Sequence, residues 1–446
     1  VVLGPVDHNL RRRFVEDFDE YSRNLAIIVL RDPVHFRLRE DLTPLAVSRI
    51  RQRLWTSAIP KRYGFREEFG PQHLAHLYYL LKHKCFGLGT EGLTCDRPAH
   101  THTRNITSSA VNLKAVKTAK RQMAKCFAAM RRTEQDLSWQ LWSLHLMYYH
   151  VQQRTSRLIR VDEFDTVCLG CREEKDSLTA CQMDGSAFFE NASAVRGVAR
   201  ARALGKRVSK ARDTSHATCA LNASSASLGR RSTGAHDVDG KRVFHFDELV
   251  DILDAARQDS FFLLGEETVV ERLNSWPMGG EESCEAVALD SHHSERNLHT
   301  SAPLRKKVGW HFGDRPLQEL VAGARIVDNY LLWSYVFCTT CLCNGCKRGL
   351  PRDLGIDLET SGRKQKFTIA DLDTSDGSMK FTPTSHNCEF ASFAVPAQPV
   401  VRIGAYFDRI ISPRPYLYQF IVQHIARSNQ ITPGDSFLGL RACVEL

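Results

Sequence analysis

Two apolar segments of this chain each lead into an aspartate, and together they restrict the fold. Residues 178–183 read as a strand that runs directly into Asp184. Residues 324–327 and 330–336 are apolar arms on either side of Asp328 and Asn329. Apolar arms around such a tip favour a β-hairpin, which would place Asp328 at its apex and next to Asp184. We therefore expect an antiparallel sheet that brings two acidic residues together.

Carboxylates on neighbouring strands can hold two divalent cations about 3.5 to 4 Å apart. Template-directed nucleotidyl transfer uses such a pair, one cation to activate the attacking 3′ oxygen and one to bind the triphosphate. Phe189 comes five residues after Asp184, a spacing that would let its ring lie under a sugar and exclude a 2′-hydroxyl. Taken alone, Asp184 would be interpreted as a helix N-cap, so its role depends on the combination with Asp328.

A glycine-rich turn lies between the two acidic segments. Residues 277–283 read Pro-Met-Gly-Gly-Glu-Glu-Ser, and apolar residues at helical spacing follow them. Gly279 and Gly280 have no Cβ, so the backbone there can approach a nucleotide or a template strand closely. Ser283 ends the turn and joins the two glycines as a candidate substrate-binding residue.

In this order, the three pieces resemble the palm of reverse transcriptases. The family pattern is an Asp with an aromatic five residues later, a P-M-G-G-P-x-S-like turn and a Y/R-x-V-D-D hairpin. Residues 103–108 resemble the fingers segment R-x-I-x-S, whose arginine, here Arg104, would neutralise the triphosphate, and Lys61 is similar to a preceding basic position. Three further segments extend the resemblance. Residues 243–265 resemble the helix and linker before the glycine turn, residues 367–387 resemble a late-palm hairpin, and residues 405–432 resemble the opening helix of the thumb.

The resemblance implies an α+β fold with the right-hand architecture of polymerases. Its parts would be an N-terminal helical region with fingers, a palm with an antiparallel sheet and a basic insertion, and the start of a thumb. Their ranges would be 1–160 for the fingers, 161–388 for the palm with 191–231 as the insertion, and 389–446 for the thumb.

The implied function is RNA-directed DNA synthesis, in which a primer 3′ oxygen attacks the α-phosphorus of a deoxynucleoside triphosphate and pyrophosphate leaves. The cofactor would be Mg²⁺ or Mn²⁺, and the partners would be an RNA template and a DNA primer. Asp184 and Asp328 would bind the metal, with Asn329 as an auxiliary ligand. Phe189 would be the sugar gate and Arg104 the triphosphate contact.

Two residues depart from the family pattern. Asn329 stands where the family usually has a second Asp, and Glu281 replaces the usual Pro. Asn329 removes one negative charge from a site built for two dications, so metal affinity should fall. Two interpretations stay open, a working polymerase and a decayed palm that only binds nucleic acid.

The charge of the chain suits a polyanionic partner. Sixty Lys and Arg residues against 51 Asp and Glu give a net charge of +9. Residues 191–231 are rich in basic side chains and would follow phosphates or remain partly mobile. The residues that we expect to contact template phosphates are Arg196, Arg200, Lys206, Arg207 and Lys210.

Cysteines suggest a third function class, a zinc-stabilised interaction protein. Cys338, Cys341, Cys343 and Cys346 give C-x-x-C spacing twice, and four thiolates can hold a tetrahedral zinc. We favour four small, half-buried residues instead, because no second ligand pair follows at a typical finger spacing. Two more ligands could come from an upstream C-x-x-C pair, Cys168 and Cys171.

Other patterns are weaker. Asp237 and Asp239 are rivals for the first metal ligand, and Asp371, Asp373 and Asp376 are expected to be solvated hairpin charges. A G-x-G-x-x-G match at 87–92 does not follow an apolar strand, and no P-loop, G-x-S-x-G or H-E-x-x-H motif occurs. Segments 290–305 and 353–366 look turn-rich, and the Asp-Gly pairs at 239–240 and 376–377 favour hairpins.

The remaining features concern location. No apolar run approaches the ~18 to 20 residues of a bilayer span, and 14 cysteines in 446 residues are too few for a disulfide scaffold. We expect an intracellular protein, in nucleus or cytoplasm, and a chain that is either a fragment or a gene-model piece, because it opens at Val1 without Met. The oligomeric state is left open.

Overall fold

The computed structural model describes parts of the chain between Val2 and Pro383, which form a mixed α+β fold as expected. The described residues are 2–5, 13–81, 103–107, 112–134, 139–140, 144–160, 168–173, 177–185, 188–229, 240–350, 356–361, 364–367, 370–373 and 380–383.

The strands, numbered in chain order, are β1 (Val2–Pro5), β2 (Arg13–Glu16), β3 (Phe36–Leu38), β4 (Ala75–Leu81), β5 (Thr103–Thr107), β6 (Thr179–Gly185), β7 (His216–Ala220), β8 (Ala226–Leu228), β9 (Lys241–His245), β10 (Phe261–Leu264), β11 (Thr268–Arg272), β12 (Ala322–Ile326), β13 (Asn329–Ser334), β14 (Ile356–Ser361), β15 (Lys364–Phe367), β16 (Ala370–Asp373) and β17 (Lys380–Pro383). The helices are α1 (Phe18–Leu30), α2 (Pro44–Ala58), α3 (Lys114–Arg132), α4 (Leu144–Ser156), α5 (Leu169–Glu173), α6 (Phe188–Asn191), α7 (Ala194–Arg212), α8 (Phe246–Gln258), α9 (Ser283–Thr300), α10 (Ala302–Val308), α11 (Leu317–Leu320) and α12 (Thr339–Gly349).

The central sheet has the strand order β12-β13-β6-β14, and each neighbouring pair is antiparallel. Side chains alternate between its two faces. Cys181, Met183 and Leu332 point into the main hydrophobic core, whereas Ala180 and Trp333 belong to a second cluster. Because both faces are covered along most of their length, β6 and β13 are fixed in register.

Helices α3, α7, α8 and α9 pack against one another and against the main core. Side-chain caps define where several helices begin. The Thr43 hydroxyl accepts the Ala46 amide at 3.2 Å at the start of α2, and the Ser193 hydroxyl accepts the Arg196 amide at 3.2 Å at the start of α7. Such caps satisfy amides that have no partner within the helix.

A five-stranded sheet, ordered β3-β11-β10-β4-β5, lies next to α1, and its β4–β10 pair is parallel. A three-stranded sheet, β8-β7-β9, packs on α3 through β7 and β8. No helix in the described part of the chain is long and apolar enough to cross a membrane.

Several expectations about local structure are wrong. Residues 290–305 are not turn-rich but belong to α9 and α10, and residues 353–366 include β14 and the start of β15. Residues 191–231 contain the regular elements α7, β7 and β8, and their contact with phosphates stays a prediction. Gly240 does not close a hairpin between successive strands, because β8 and β9 pair with opposite edges of β7. Strands β16 and β17 do pair antiparallel, and Asp376 and Gly377, which lie between them in the chain, are outside the described residues.

Candidate functional site

Asp184 lies near the end of β6, where the strand leaves the core. Residues 179–183 are buried, and Asp184 is half-buried. By strand alternation Asp184 shares a face with Ala180 and Gln182. The far end of that face is covered by α4, where the Trp333 indole N–H donates to the Thr155 hydroxyl at 3.0 Å. The partly exposed carboxylate therefore sits at the less covered end of a rigid strand.

Asp328 is in the two-residue tip of the β12–β13 hairpin, as predicted. Its carbonyl accepts the Gly185 amide at 3.0 Å, and Asn329 stands directly opposite Asp184 in the strand register. Side chains in such a cross-strand pair have their Cβ atoms about 4.5 to 5.5 Å apart. The fold thus brings Asp184, Asp328 and Asn329 to one place.

The hairpin tip is strained and braced. Val327 has a φ of 53°, which is rare for a β-branched residue and costs of order 1 to 3 kcal/mol. Asn329 Nδ2 donates to Asp328 Oδ1 at 3.2 Å. Arg325 Nη1 donates to the Val327 carbonyl at 3.1 Å. The tip conformation is therefore held from both sides of Asp328.

Arg325 is fully buried and forms an ion pair with the equally buried Glu295 of α9. Burial works against the charge of Arg325, but Glu295 outweighs it and the pKa of Arg325 is raised. In the sequence, Arg325 occupies the first position of the Y/R-x-V-D-D pattern. Its structural role is to anchor the hairpin to α9.

One acidic residue near the site belongs to no motif in the sequence. Asp357 of β14 stands opposite Asp184 on the other edge of β6, so Asn329, Asp184 and Asp357 form a row across three strands. Its surroundings in the sequence looked turn-like, and only the pairing of β14 with β6 indicates its position.

The glycine-rich turn does lead into a helix, α9, but its glycines serve the protein's own packing. Gly279 has a φ of 97°, and a Cβ there would lie 2.9 Å from the Thr107 carbonyl oxygen. The Thr107 amide donates to the Met278 carbonyl at 2.9 Å. A Cβ on Gly280 would lie 2.4 Å from the buried Ser283 hydroxyl. The close approach is therefore to β5 and to the turn itself.

Glu281, the departure from the family pattern in this turn, has a structural partner. Its carboxylate accepts from Arg121 Nε of α3 at 2.6 Å. The next residue, Glu282, is buried and accepts from Lys120 Nζ at 3.1 Å. Both acidic residues tie the turn to α3.

Phe189 lies on α6, just after β6. It is 8% exposed, belongs to the main core and meets Phe188 edge to face at 6.2 Å between ring centroids. The Trp276 amide, next to the glycine turn, donates to the Phe189 carbonyl at 3.1 Å. Arg104 is placed on β5 by its pairing with Leu80, and its side chain lies outside what the structure describes.

The basic residues of α7 fall into two groups. Arg196 and Arg200 face the buried carboxylate of Asp290 on α9, with closest separations of 2.6 and 3.7 Å, and Arg207 meets Glu134 at 3.0 Å. Lys206 and Lys210 are exposed, together with Arg202. Three of the five expected phosphate contacts thus have carboxylate partners within the protein.

The other predicted residues lie at separate places in the fold. Cys338 and Cys341 lie with Cys168 and Cys171, whereas Cys343 and Cys346 are buried elsewhere on α12. Lys61 is exposed in a short 3₁₀ turn. The structure describes Asp371 and Asp373 as backbone of β16 only. Three groups of predicted residues lie outside the described residues: the rival acids Asp237 and Asp239, the glycine motif at 87–92, and residues 389–446, which were predicted to form the start of a thumb.

The donor set at the hairpin suits a hard divalent cation. Asp184 and Asp328 offer carboxylate oxygens and Asn329 an amide oxygen, the ligand types that Mg²⁺ and Mn²⁺ prefer. Asn329 also gives Asp328 a hydrogen-bond donor, so the pair of acidic residues is partly compensated within the protein.

No protein-family model and no curated protein matches the chain. Among solved structures, apo telomerase from Candida tropicalis matches with a TM-score of 0.51 and 9% sequence identity, over 90% of this chain and 58% of that chain. Telomerase from Candida albicans in complex with a TWJ fragment of telomeric RNA matches with a TM-score of 0.45 and 10% identity, over 89% of this chain and 62% of that chain. This chain thus spans less than two thirds of either structure, and the first match shows a fold similar to that of a telomerase.

Proposed function

We propose that this chain is a reverse-transcriptase-like polymerase that copies RNA into DNA. Telomerase is a reverse-transcriptase-related polymerase, and the fold is similar to one. The observation that carries the proposal is the position of Asp328 at a hairpin tip beside Asp184, with Asn329 in register with Asp184. Nucleotidyl transfer needs carboxylates at one rigid place to hold two divalent cations, and the neighbouring positions of Asp184 and Asp328 support this role.

The proposal gives the parts of the chain distinct roles. Residues 1–160 would form the fingers, 161–388 the palm that carries the central sheet, and 389–446 the start of the thumb. An RNA template, a DNA primer and deoxynucleoside triphosphates would be the partners.

In the proposed mechanism, Asp184 and Asp328 would hold Mg²⁺ or Mn²⁺, which when bound activates the primer 3′ oxygen and neutralises the triphosphate. The protein's own contribution is rigidity. Arg325 and Asn329 hold the hairpin tip in one conformation, so the Asp328 carboxylate needs little reorganisation. Phe189 would limit the space beneath the sugar, and Arg104 would contact the triphosphate.

A second candidate function is a decayed palm that binds nucleic acid without extending it. The hydrogen bond from Asn329 to Asp328 favours this alternative, because it satisfies the carboxylate without a cation. Primer extension separates the two candidates.

The experiment is extension of a labelled DNA primer on an RNA template with Mg²⁺ or Mn²⁺. We expect Asp184→Asn and Asp328→Asn to abolish extension, and the exposed Asp314→Asn to retain it as a matched control. Activity that survives Asp184→Asn would contradict the metal-ligand assignment. Failure of the wild-type chain and of Asn329→Asp to extend, while both bind the primer–template, would favour the decayed palm.

A further inference from the structure

Four cysteine thiols from two distant parts of the chain converge at one point. Cys168 and Cys171 lie at the start of α5, and Cys338 and Cys341 lie at the start of α12. Their four sulfur atoms are all within 4.8 Å of one another. Cys168 Sγ is 3.5 Å from Cys171 Sγ, 3.8 Å from Cys338 Sγ and 3.5 Å from Cys341 Sγ, and Cys171 Sγ is 3.6 Å from Cys341 Sγ.

These separations fit a tetrahedral metal centre better than disulfides. A disulfide requires about 2.05 Å between sulfurs, which every measured pair exceeds. Zinc binds thiolates at about 2.3 Å, so the edges of a regular ZnS₄ tetrahedron are about 3.8 Å. The observed 3.5 to 3.8 Å lies close to that value.

The local backbone is also shaped for a four-thiolate centre. The Cys338 amide donates to Cys171 Sγ at 3.2 Å, a hydrogen bond that stabilises negative charge on sulfur. Gly170 lies between the first two cysteines, and a Cβ there would be only 3.3 Å from Cys338 Sγ and 3.8 Å from Cys168 Sγ. Cys171 and Cys338 are buried, while Cys168 is exposed and Cys341 is half-buried, so an ion could enter from the Cys168 side.

We propose that Cys168, Cys171, Cys338 and Cys341 form a structural zinc site. All four positions of a tetrahedral ion would be taken by protein ligands, which is typical of structural rather than catalytic zinc. This proposal does not rest on the proposed polymerase function.

The site would clamp the two central strands at one end. Thr179 of β6 pairs with Ser334 of β13, and the cysteine pairs lie just before and just after these residues in the chain. Asp184 and Asn329 pair at the opposite end of the same two strands, five residues or about 17 Å away at ~3.3 Å per residue. Zinc should therefore act on the stability of the sheet and not as a reactant at the acidic residues.

The test is metal analysis of the 446-residue chain, purified under reducing conditions without chelator. We expect about one zinc per chain by elemental mass spectrometry. Cys168→Ala and Cys341→Ala should each retain roughly a tenth of that zinc or less after dialysis against a chelator. Cys343→Ala is the matched control, because Cys343 lies on the same helix outside the four-sulfur cluster, and it should keep its zinc.

Several results would overturn the proposal: no zinc in the wild-type chain, bound iron in its place, disulfides among these cysteines by mass spectrometry, or equal zinc loss in Cys343→Ala. If the ligand variants fail to fold, Co²⁺ titration of the reduced, zinc-free wild-type chain gives an independent answer. Intense thiolate-to-cobalt absorption at one equivalent supports the site, and its absence refutes it. Primer extension does not enter either readout, so this proposal and the polymerase proposal can fail separately.

Discussion

At the scale of single residues, Asn329 compensates part of the negative charge at the hairpin tip. Its side-chain amide donates to Asp328, and its backbone position faces Asp184. An Asp at this position would replace a donor by a third negative charge. Like charges at close range raise the free energy of the folded state unless a cation lies between them.

We expect Asn329→Asp to lower the stability of the metal-free protein and to raise its affinity for Mg²⁺. Loss of the hydrogen bond should cost about 1 kcal/mol without metal, with charge repulsion adding to it. Affinity for Mg²⁺ should rise about tenfold, equivalent to about 1.4 kcal/mol. Thermal unfolding with and without Mg²⁺ measures both effects, and the exposed Asn222→Asp is the control. An equal response of the two variants to Mg²⁺ would show that residue 329 is not near a cation.

A second residue, His299, links stability to pH. It is buried at the end of α9, where it meets Trp139 edge to face, and burial lowers its pKa to about 4. The unfolded value is about 6.5, so between pH 6.5 and 4 the unfolded chain binds a proton that the folded chain does not. Stability must therefore fall as the pH is lowered through this window.

For His299 alone the loss at pH 5 should be about 2 kcal/mol. His293, whose pKa is also lowered to about 4 by burial and by Arg200, acts in the same direction. Urea unfolding at pH 7 and pH 5 should show a smaller pH effect in His299→Gln than in wild type. The exposed His76→Gln should keep the full effect, and an unchanged pH dependence in His299→Gln would refute the assignment.

At the scale of elements, the glycine turn before α9 is fitted to β5. Gly279 combines a positive φ with a contact that leaves no room for a Cβ, whereas Gly309 has a positive φ of 84° and nothing within 4 Å of its Cβ position. A substitution at Gly309 therefore introduces backbone strain alone, whereas a substitution at Gly279 introduces backbone strain and a steric clash.

Gly309→Ala should cost about 1 to 2 kcal/mol, the strain of a left-handed residue. Gly279→Ala should cost about 1 to 3 kcal/mol more, because the new methyl group also displaces the Thr107 carbonyl. Urea unfolding midpoints measure the difference. Equal losses in the two variants would mean that the turn can move away from β5 freely.

The same elements show what the sequence can and cannot predict. The β12–β13 hairpin was predictable, because two apolar arms around a polar tip have few other solutions. Residues 290–305, which belong to α9 and α10, have a turn-like composition, because the buried side chains of α9 include Asp290, His292 and Glu295. They are buried only because distant residues pair with them, among them Arg196, Glu134 and Arg325. A local pattern does not contain such partners, and for the same reason it could not show which cysteines meet.

At the scale of the whole molecule, the positive charge is divided between the interior and the surface. Acidic residues of α9 and of the turn before it neutralise basic residues of α3 and α7, as in the pairs of Glu285 with Arg131 and Asp290 with Arg196. The net charge of +9 therefore says less about a nucleic-acid partner than the positions of the exposed basic residues do. On α7 the exposed basic residues are Arg202, Lys206, Lys210 and Arg212, and the first three are spaced by four residues on one helix face.

If this face contacts a nucleic-acid backbone, its charge should appear in the salt dependence of binding. Each phosphate contact contributes about 0.7 to the slope of log affinity against log salt for single strands. Replacing Arg202, Lys206 and Lys210 by Gln should thus lower the magnitude of the slope by up to about 2 for a single-stranded RNA. The control carries the same charge change elsewhere, on the exposed Lys306, Lys307 and Arg348. An equal decrease of the slope in both triple variants would indicate a response to net charge alone. An unchanged slope in the α7 triple variant would show that α7 is not part of the binding surface.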